Sequence, residues 1–254
     1  MTNHSQANGR SRAKRGRLSQ RYNGQAAVEF MIITPVMLLL VLGAFQFALI
    51  YHAKITLNNA TFIATRTGSL NSADRGMIDL ALARGLAPLF TNNDSVSEVF
   101  DGRQQVLDDI DDGFICVERL NPPDGAFTDF GVPDSAGVIP NDNLIYRDPA
   151  AGALSGLSVQ DANLLKIRVT YCYPMMVPIV GRTIQGLRLN ALPAATRDSI
   201  SNWSEGAPST FNPAAPGNFQ LQCLIQNRIP IVAQGILRMQ SAASNDAGFD
   251  TDCS

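Results

Sequence analysis

The 254-residue chain carries a formal net charge of −2, with 45% hydrophobic and 17% charged residues, and is long enough for one large domain or two small ones with a buried core. The charge is uneven: residues 1 to 24 hold Arg10, Arg12, Lys14, Arg15, Arg17 and Arg21 with no acid, so a basic head of +6 precedes a body of −8. That head has no aromatic or helical framework and stands directly before an apolar stretch. This argues against a nucleic-acid partner and matches the Arg and Lys held on the cytoplasmic side of a membrane segment.

From Phe30 to Tyr51 run 22 residues without a charge, interrupted by Thr34 and Gln46. At about 1.5 Å per residue a helix here spans roughly 33 Å, enough to cross a bilayer core. The run is too long for the apolar part of a secretory signal, and no small-x-small cleavage site follows it. A single transmembrane helix is expected at about 30–51, its start cytoplasmic and its end exported. Pro35 removes one backbone donor and crowds the Met31 carbonyl, so a bend is expected there. Glu29 sits at the mouth of the run, where an acid suits the positive end of the helix dipole and where burial in lipid would demand a partner.

The leader ends at Gly24, followed by Gln25, Ala26, Ala27, Val28, Glu29 and Phe30. A cut after Gly24 makes Glu29 the fifth residue of a new chain with a charged amine at Gln25. Between parallel helices shifted by about a turn, that amine and a neighbour's Glu29 carboxylate can pair. This arrangement resembles the prepilin cleavage motif of type IV pilins. Residues 24 to 69 are similar, more narrowly, to TadE-like pseudopilins of the tight-adherence (Flp) pilus assembly system. Gly24, Val28, Glu29, Phe30, Pro35, Phe47, Asn59, Ala60, Ala64, Arg66 and Gly68 occupy the family's places, and "NLLKIRVTYCYPMMVPIVG" loosely matches a strand-like segment of its C-terminal part. The resemblance implies a minor pilin without enzymatic activity or cofactor. Its implied partners are the inner membrane, a prepilin peptidase that recognises Phe30, and other pilus or pseudopilin subunits, with the C-terminal domain in the periplasm or on a surface pilus.

Beyond the membrane, Ile55, Asn59, Phe62, Ile63 and Arg66 follow helical spacing and predict an apolar stripe with polar edges. A second helix is expected from Ser72 or Asp74 to about Phe90, with Met77, Ile78, Ala81, Leu82, Leu86 and Leu89 on one face and Pro88 near its end. After residue 91 helical periodicity fades. Strands are expected at 113–120, 164–173 and 219–233, separated by long loops at 121–152 and 203–218. In the middle strand Leu165, Ile167, Val169 and Tyr171 alternate with Lys166, Arg168, Thr170 and Cys172, the pattern of a half-buried strand. The stretch from Gly235 onward is expected to begin as a short helix and end loosely.

The expected fold class is therefore α+β. It comprises a basic leader at 1–24, a TadE-like segment at 25–69, an exported helix at 70–90, and a periplasmic domain at 91–254 with a small antiparallel sheet. Cys116, Cys172, Cys223 and Cys253 form no Cys-x-x-Cys, and the only histidines are His4 and His52, so zinc is poorly supported and disulfides are the natural reading. Three connectivities are open; the preferred one pairs Cys116 with Cys172 and Cys223 with Cys253. "DDIDDG" at 108–113 lacks calcium-loop chemistry, with Ile110 and Arg119 at ligand positions, and reads as a solvated acidic turn. No nucleophile, base or phosphate-binding pattern marks an enzyme. The alternative function is an uncleaved single-span anchor whose periplasmic domain binds a ligand or partner.

Overall fold

The computed structural model describes residues 23–91, 95–132, 137–177, 228–245 and 248–251, with 181, 186, 219, 223, 226 and 253. The basic leader up to residue 22 and the expected loop at 203–218 lie outside the described residues. Two compact units are present, Met1–Val41 and Leu42–Ser254. In the first, residues 23–41 are helical, and from Ala27 onward the side chains are exposed except the half-buried Thr34. They belong to helix α1, Asn23–Leu70, whose 48 residues far exceed the expected span. Helical propensity alone does not explain that length. The latter half of α1 is held by tertiary packing inside the second unit, the usual source of helix stability.

A tight turn with left-handed Ser72 and Ala73 joins α1 to α2, Arg75–Leu86. Non-glycine residues avoid this region, and here backbone hydrogen bonds hold it. The Ala73 amide donates to the Gly68 carbonyl at 2.9 Å and the Ser72 amide to Ser241 Oγ at 2.8 Å. Asp74 caps α2 as its sequence position suggests, accepting from the Met77 amide at 2.7 Å. Ile78, Ala81, Leu82 and Leu86 are buried, Leu89 is partly buried, and Met77 is exposed. Pro88 lies in the 3-10 turn Ala87–Leu89 that closes the helix.

Helix α3, Val96–Asp111, was not expected. Its sequence hides it because Gly102 and a run of polar residues dilute the apolar spacing. The legible signal was Ser95 followed three residues later by Glu98: the Ser95 hydroxyl does accept from the Glu98 amide, at 3.4 Å. "DDIDDG" is consequently the end of this helix, with Gly113 supplying the positive φ of 75° that reverses the chain. Another helix, α4 at Asp124–Phe130, occupies part of the expected long loop, and a single-turn α5 at Val159–Ala162 precedes the central strand.

Strands β1, Ile115–Asn121, β2, Leu164–Pro174, and β3, Arg228–Arg238, form an antiparallel sheet in the order β1-β2-β3. The register pairs Val117 with Val169 and Val169 with Ala233. The third strand lies later than the expected 219–233, and residues 235–238 extend it instead of beginning a helix. Pairing with all of β2 overrides local preference there. One face carries Val117, Leu165, Ile167, Val169, Tyr171 and Ile231 into the main core with α1 and α2. The other face is half-buried at Lys166 and Arg168, as the alternation predicts, but Thr170 and Cys172 are fully buried, Thr170 bonded to the Cys253 carbonyl and Cys172 to Cys223.

Candidate functional site

Residues Gly24 and Gln25 lie in the first turns of α1, with Glu29 and Phe30 in the same continuous helix. Glu29 is exposed and Phe30 is 69% exposed. Thr34 Oγ1 donates to the Phe30 carbonyl at 2.6 Å. The helix runs unbroken through Pro35. An 18-residue window in α1 has a mean hydropathy of 2.3 and none of it is buried in the protein, so this helix is long and apolar enough to cross a membrane. A soluble core helix would bury such side chains, whereas these are exposed.

Past the membrane-length run, α1 buries the opposite face from the one expected. Ala53, Leu57, Ala60, Thr61, Ala64 and Thr65 are buried, whereas Ile55, Asn59, Phe62, Ile63 and Arg66 point outward. Apart from Leu57, small side chains line the inner face, because at Ala60 and Thr65 the neighbours approach too closely for large ones. A Cβ on Gly85 would lie 2.6 Å from Ala60 Cα, so α2 crosses α1 almost backbone to backbone. A Cβ on Gly68 would meet Ile78 at 2.8 Å and Leu165 at 2.9 Å. Gly235 on β3 likewise faces Thr65 with no room for a side chain. Ala60, Thr65 and Gly68 are thus points of close approach on α1, while Asn59 and Arg66 are exposed.

The four cysteines form two disulfides, Cys116–Cys253 and Cys172–Cys223, with Cα separations of 5.7 and 5.3 Å. The expected pairing of Cys116 with Cys172 and Cys223 with Cys253 is therefore not formed, and the strand register shows why. Cys116 pairs with Thr170, so Cys116 and Cys172 are diagonal neighbours on one face. Such diagonals are about 7–8 Å apart, beyond the usual reach of a disulfide. Each strand cysteine instead bonds one from later in the chain, and the Thr170 hydroxyl donates to the Cys253 carbonyl at 3.0 Å.

The Cys253 arm is fixed by a charged clamp. Buried Arg75 donates through Nε to both Asp79 oxygens at 2.8 and 2.9 Å, and through Nη1 to the Val117 and Gly248 carbonyls at 3.2 and 2.8 Å. Its Nη2 reaches Asp250 at 3.3 Å, and Asp250 accepts from the Val117 amide at 2.7 Å. Arg119 stacks over the rings of Phe127 and Phe249, at 4.7 and 5.0 Å from their centroids. Burial pushes the Asp79 carboxyl above its ordinary pKa despite the Arg75 charge and hydrogen bonds. Cys116, Asp250 and Cys253 come close enough to suggest a metal site, but both sulfurs are bonded to each other, leaving one carboxylate. The clamp is chemically a fastening. It joins the start of α2, the edge of β1 and the C-terminal arm.

The fold is a mixed α and β unit bearing a long apolar N-terminal helix, the form of a helix-anchored protein. Residues 24–66 match the family model described as TadE-like protein, supporting assignment to the TadE-like family and suggesting a Tad pilus-associated protein. No curated protein and no solved structure matches the chain.

Proposed function

We propose that the chain is a membrane-anchored pseudopilin, a minor pilin of a tight-adherence pilus, cut by a prepilin peptidase between Gly24 and Gln25. The observation that carries this reading is the division of labour along α1: an unburied apolar segment headed by Glu29 and Phe30, then a small-residue face packed into an α+β unit. The TadE-like match spans both parts. The N-terminus is cytoplasmic, the α+β unit lies in the periplasm, and inner-membrane retention or surface display follows from assembly. In this reading Gln25 supplies a new α-amine that pairs with Glu29 of a neighbouring subunit and fixes helix register.

N-terminal sequencing of the membrane form, made in cells with and without the peptidase, tests it. A start at Gln25 only with the peptidase is expected, and Gly24→Ala should accumulate the longer precursor. An intact leader in peptidase-containing cells would favour the uncleaved anchor with a partner-binding periplasmic domain.

A further inference from the structure

Gln46 lies within the apolar run and is nevertheless fully buried. Its Oε1 accepts from the Val177 amide at 2.9 Å, which brings the segment following β2 against α1. The Val177 carbonyl in turn accepts from the Gly181 amide at 2.8 Å. Both polar groups of this irregular backbone unit are therefore satisfied by protein. That is the condition under which non-helical backbone persists at membrane depth, where water does not compensate it.

The level along the helix is set by charge. Lys54 is the first charged residue after the apolar run, eight positions beyond Gln46, or about 12 Å along the axis. Lys54 donates to the Val232 carbonyl. On α1 beside Gln46, Phe45 and Phe47 are both exposed. Met175 packs against the main core, whereas Met176 is 60% exposed. The stretch "MMVPIVG" from Met175 to Gly181 carries no charge. An apolar side chain is thus presented from the sheet-bearing unit beside the last turns of the apolar run.

We propose that Met175–Val177 is a second membrane-contacting element, with Met176 entering the outer interfacial layer of the bilayer. The inference rests on α1 being a membrane anchor. Lipid is the occupant because exposed Met176 precedes the residue that bonds Gln46 within the uncharged run of α1, and because both backbone polar groups of Val177 are already bonded within the protein. Gln46 then serves as the bracket that holds the segment at this depth. Two contacts, one helical and one from the end of β2, fix the orientation of the sheet-bearing unit on the membrane.

The test uses the full unmodified chain reconstituted in phosphatidylethanolamine and phosphatidylglycerol vesicles containing a diazirine-bearing phospholipid. After photolysis, reduction and trypsin, lipid adducts are mapped by mass spectrometry. Adducts are expected on the α1 peptide ending at Lys54 and on peptide 169–182, but not on peptide 148–166, which carries the exposed Leu154. Adducts on α1 without any on 169–182 overturn this inference and leave the anchor standing. Absence from α1 overturns the anchor and the inference with it. Equal labelling of 148–166 shows indiscriminate adsorption and also refutes the proposal.

Discussion

Replacing Arg75 with Met removes the guanidinium from the clamp while keeping an unbranched stem. Arg75 is 9% exposed, and its ion-pair partner Asp79 has only 17% of its side chain exposed. Taking one member from a buried pair costs about 3–5 kcal/mol, because the other is left charged and dry. For a unit of this size, roughly 2–4 °C per kcal/mol places the loss in Tm at about 6–20 °C. The sign with pH follows from Asp79. Its folded pKa is already raised, with burial the largest cause, so the folded state holds the proton more readily than the unfolded one. Ionising Asp79 therefore costs stability above the folded pKa, and the cost vanishes as pH falls below the ordinary value of 3.8. Arg75 lowers that pKa through its charge and hydrogen bonds, so Arg75→Met raises it further. The deficit of the variant against the parent is thus largest at neutral pH and shrinks with acidification. Thermal unfolding of the detergent-solubilised full chain, followed by circular dichroism between about pH 8 and about pH 4, close to the unfolded value of an aspartate, reads this. Arg75→Met with Asp79→Leu should recover much of the loss, since an apolar replacement of the whole pair is often tolerated. A deficit independent of pH, together with a double variant as unstable as the single one, would refute the reasoning.

Two glycines of α2 should respond oppositely to alanine. Gly85→Ala drives a Cβ to 2.6 Å from Ala60, and overpacking of about 1–3 kcal/mol outweighs a helix-propensity gain of about 1 kcal/mol, lowering Tm. Gly76→Ala meets only Asp74 Oδ1 at 3.4 Å and should hold or raise Tm in the same melts. Non-reducing peptide mapping should recover Cys116 linked to Cys253 and Cys172 linked to Cys223. Breaking the former, which closes the separation of 137 residues against 51, should destabilise more, each by up to about 4–5 kcal/mol on the chain-entropy estimate. At Asp129, whose pKa is lowered chiefly by the Ser155 hydroxyl and also by the Ser155 and Leu154 amides, Asp129→Asn should speed hydrogen exchange at those amides at neutral pH. The parent should approach that faster exchange pattern only as acid protonates Asp129 below its ordinary pKa, after the intrinsic rates are corrected for pH.

Legibility followed the range of the interactions. The apolar run, the Asp74 cap and the alternation of β2 depend on neighbours in sequence, and each was readable. Helix α3 was missed although Ser95 and Glu98 announced its start, because a mostly solvated helix needs only a narrow apolar edge at Val106, Leu107 and Ile110. The outward stripe of Ile55, Phe62 and Ile63 misled for the opposite reason. Large apolar residues mark a core face only when the partner stands far enough away to admit them. The backbone of α2 at Gly85 approaches α1 too closely for a large residue at position 60, and an alanine takes that place.

The sequence by itself determined the membrane-length helix, the glutamate at its mouth and the TadE-like spacing, since charge, hydropathy and local spacing are properties of contiguous residues. Tertiary structure alone decided which face of α1 turns inward, which cysteines join, and how Arg75 fastens the C-terminal arm. Those outcomes depend on strand register and on the distance between backbones far apart in the chain. Gln46 belongs to both accounts. Sequence shows a polar break in an apolar run, and only the fold shows the Val177 amide that it answers.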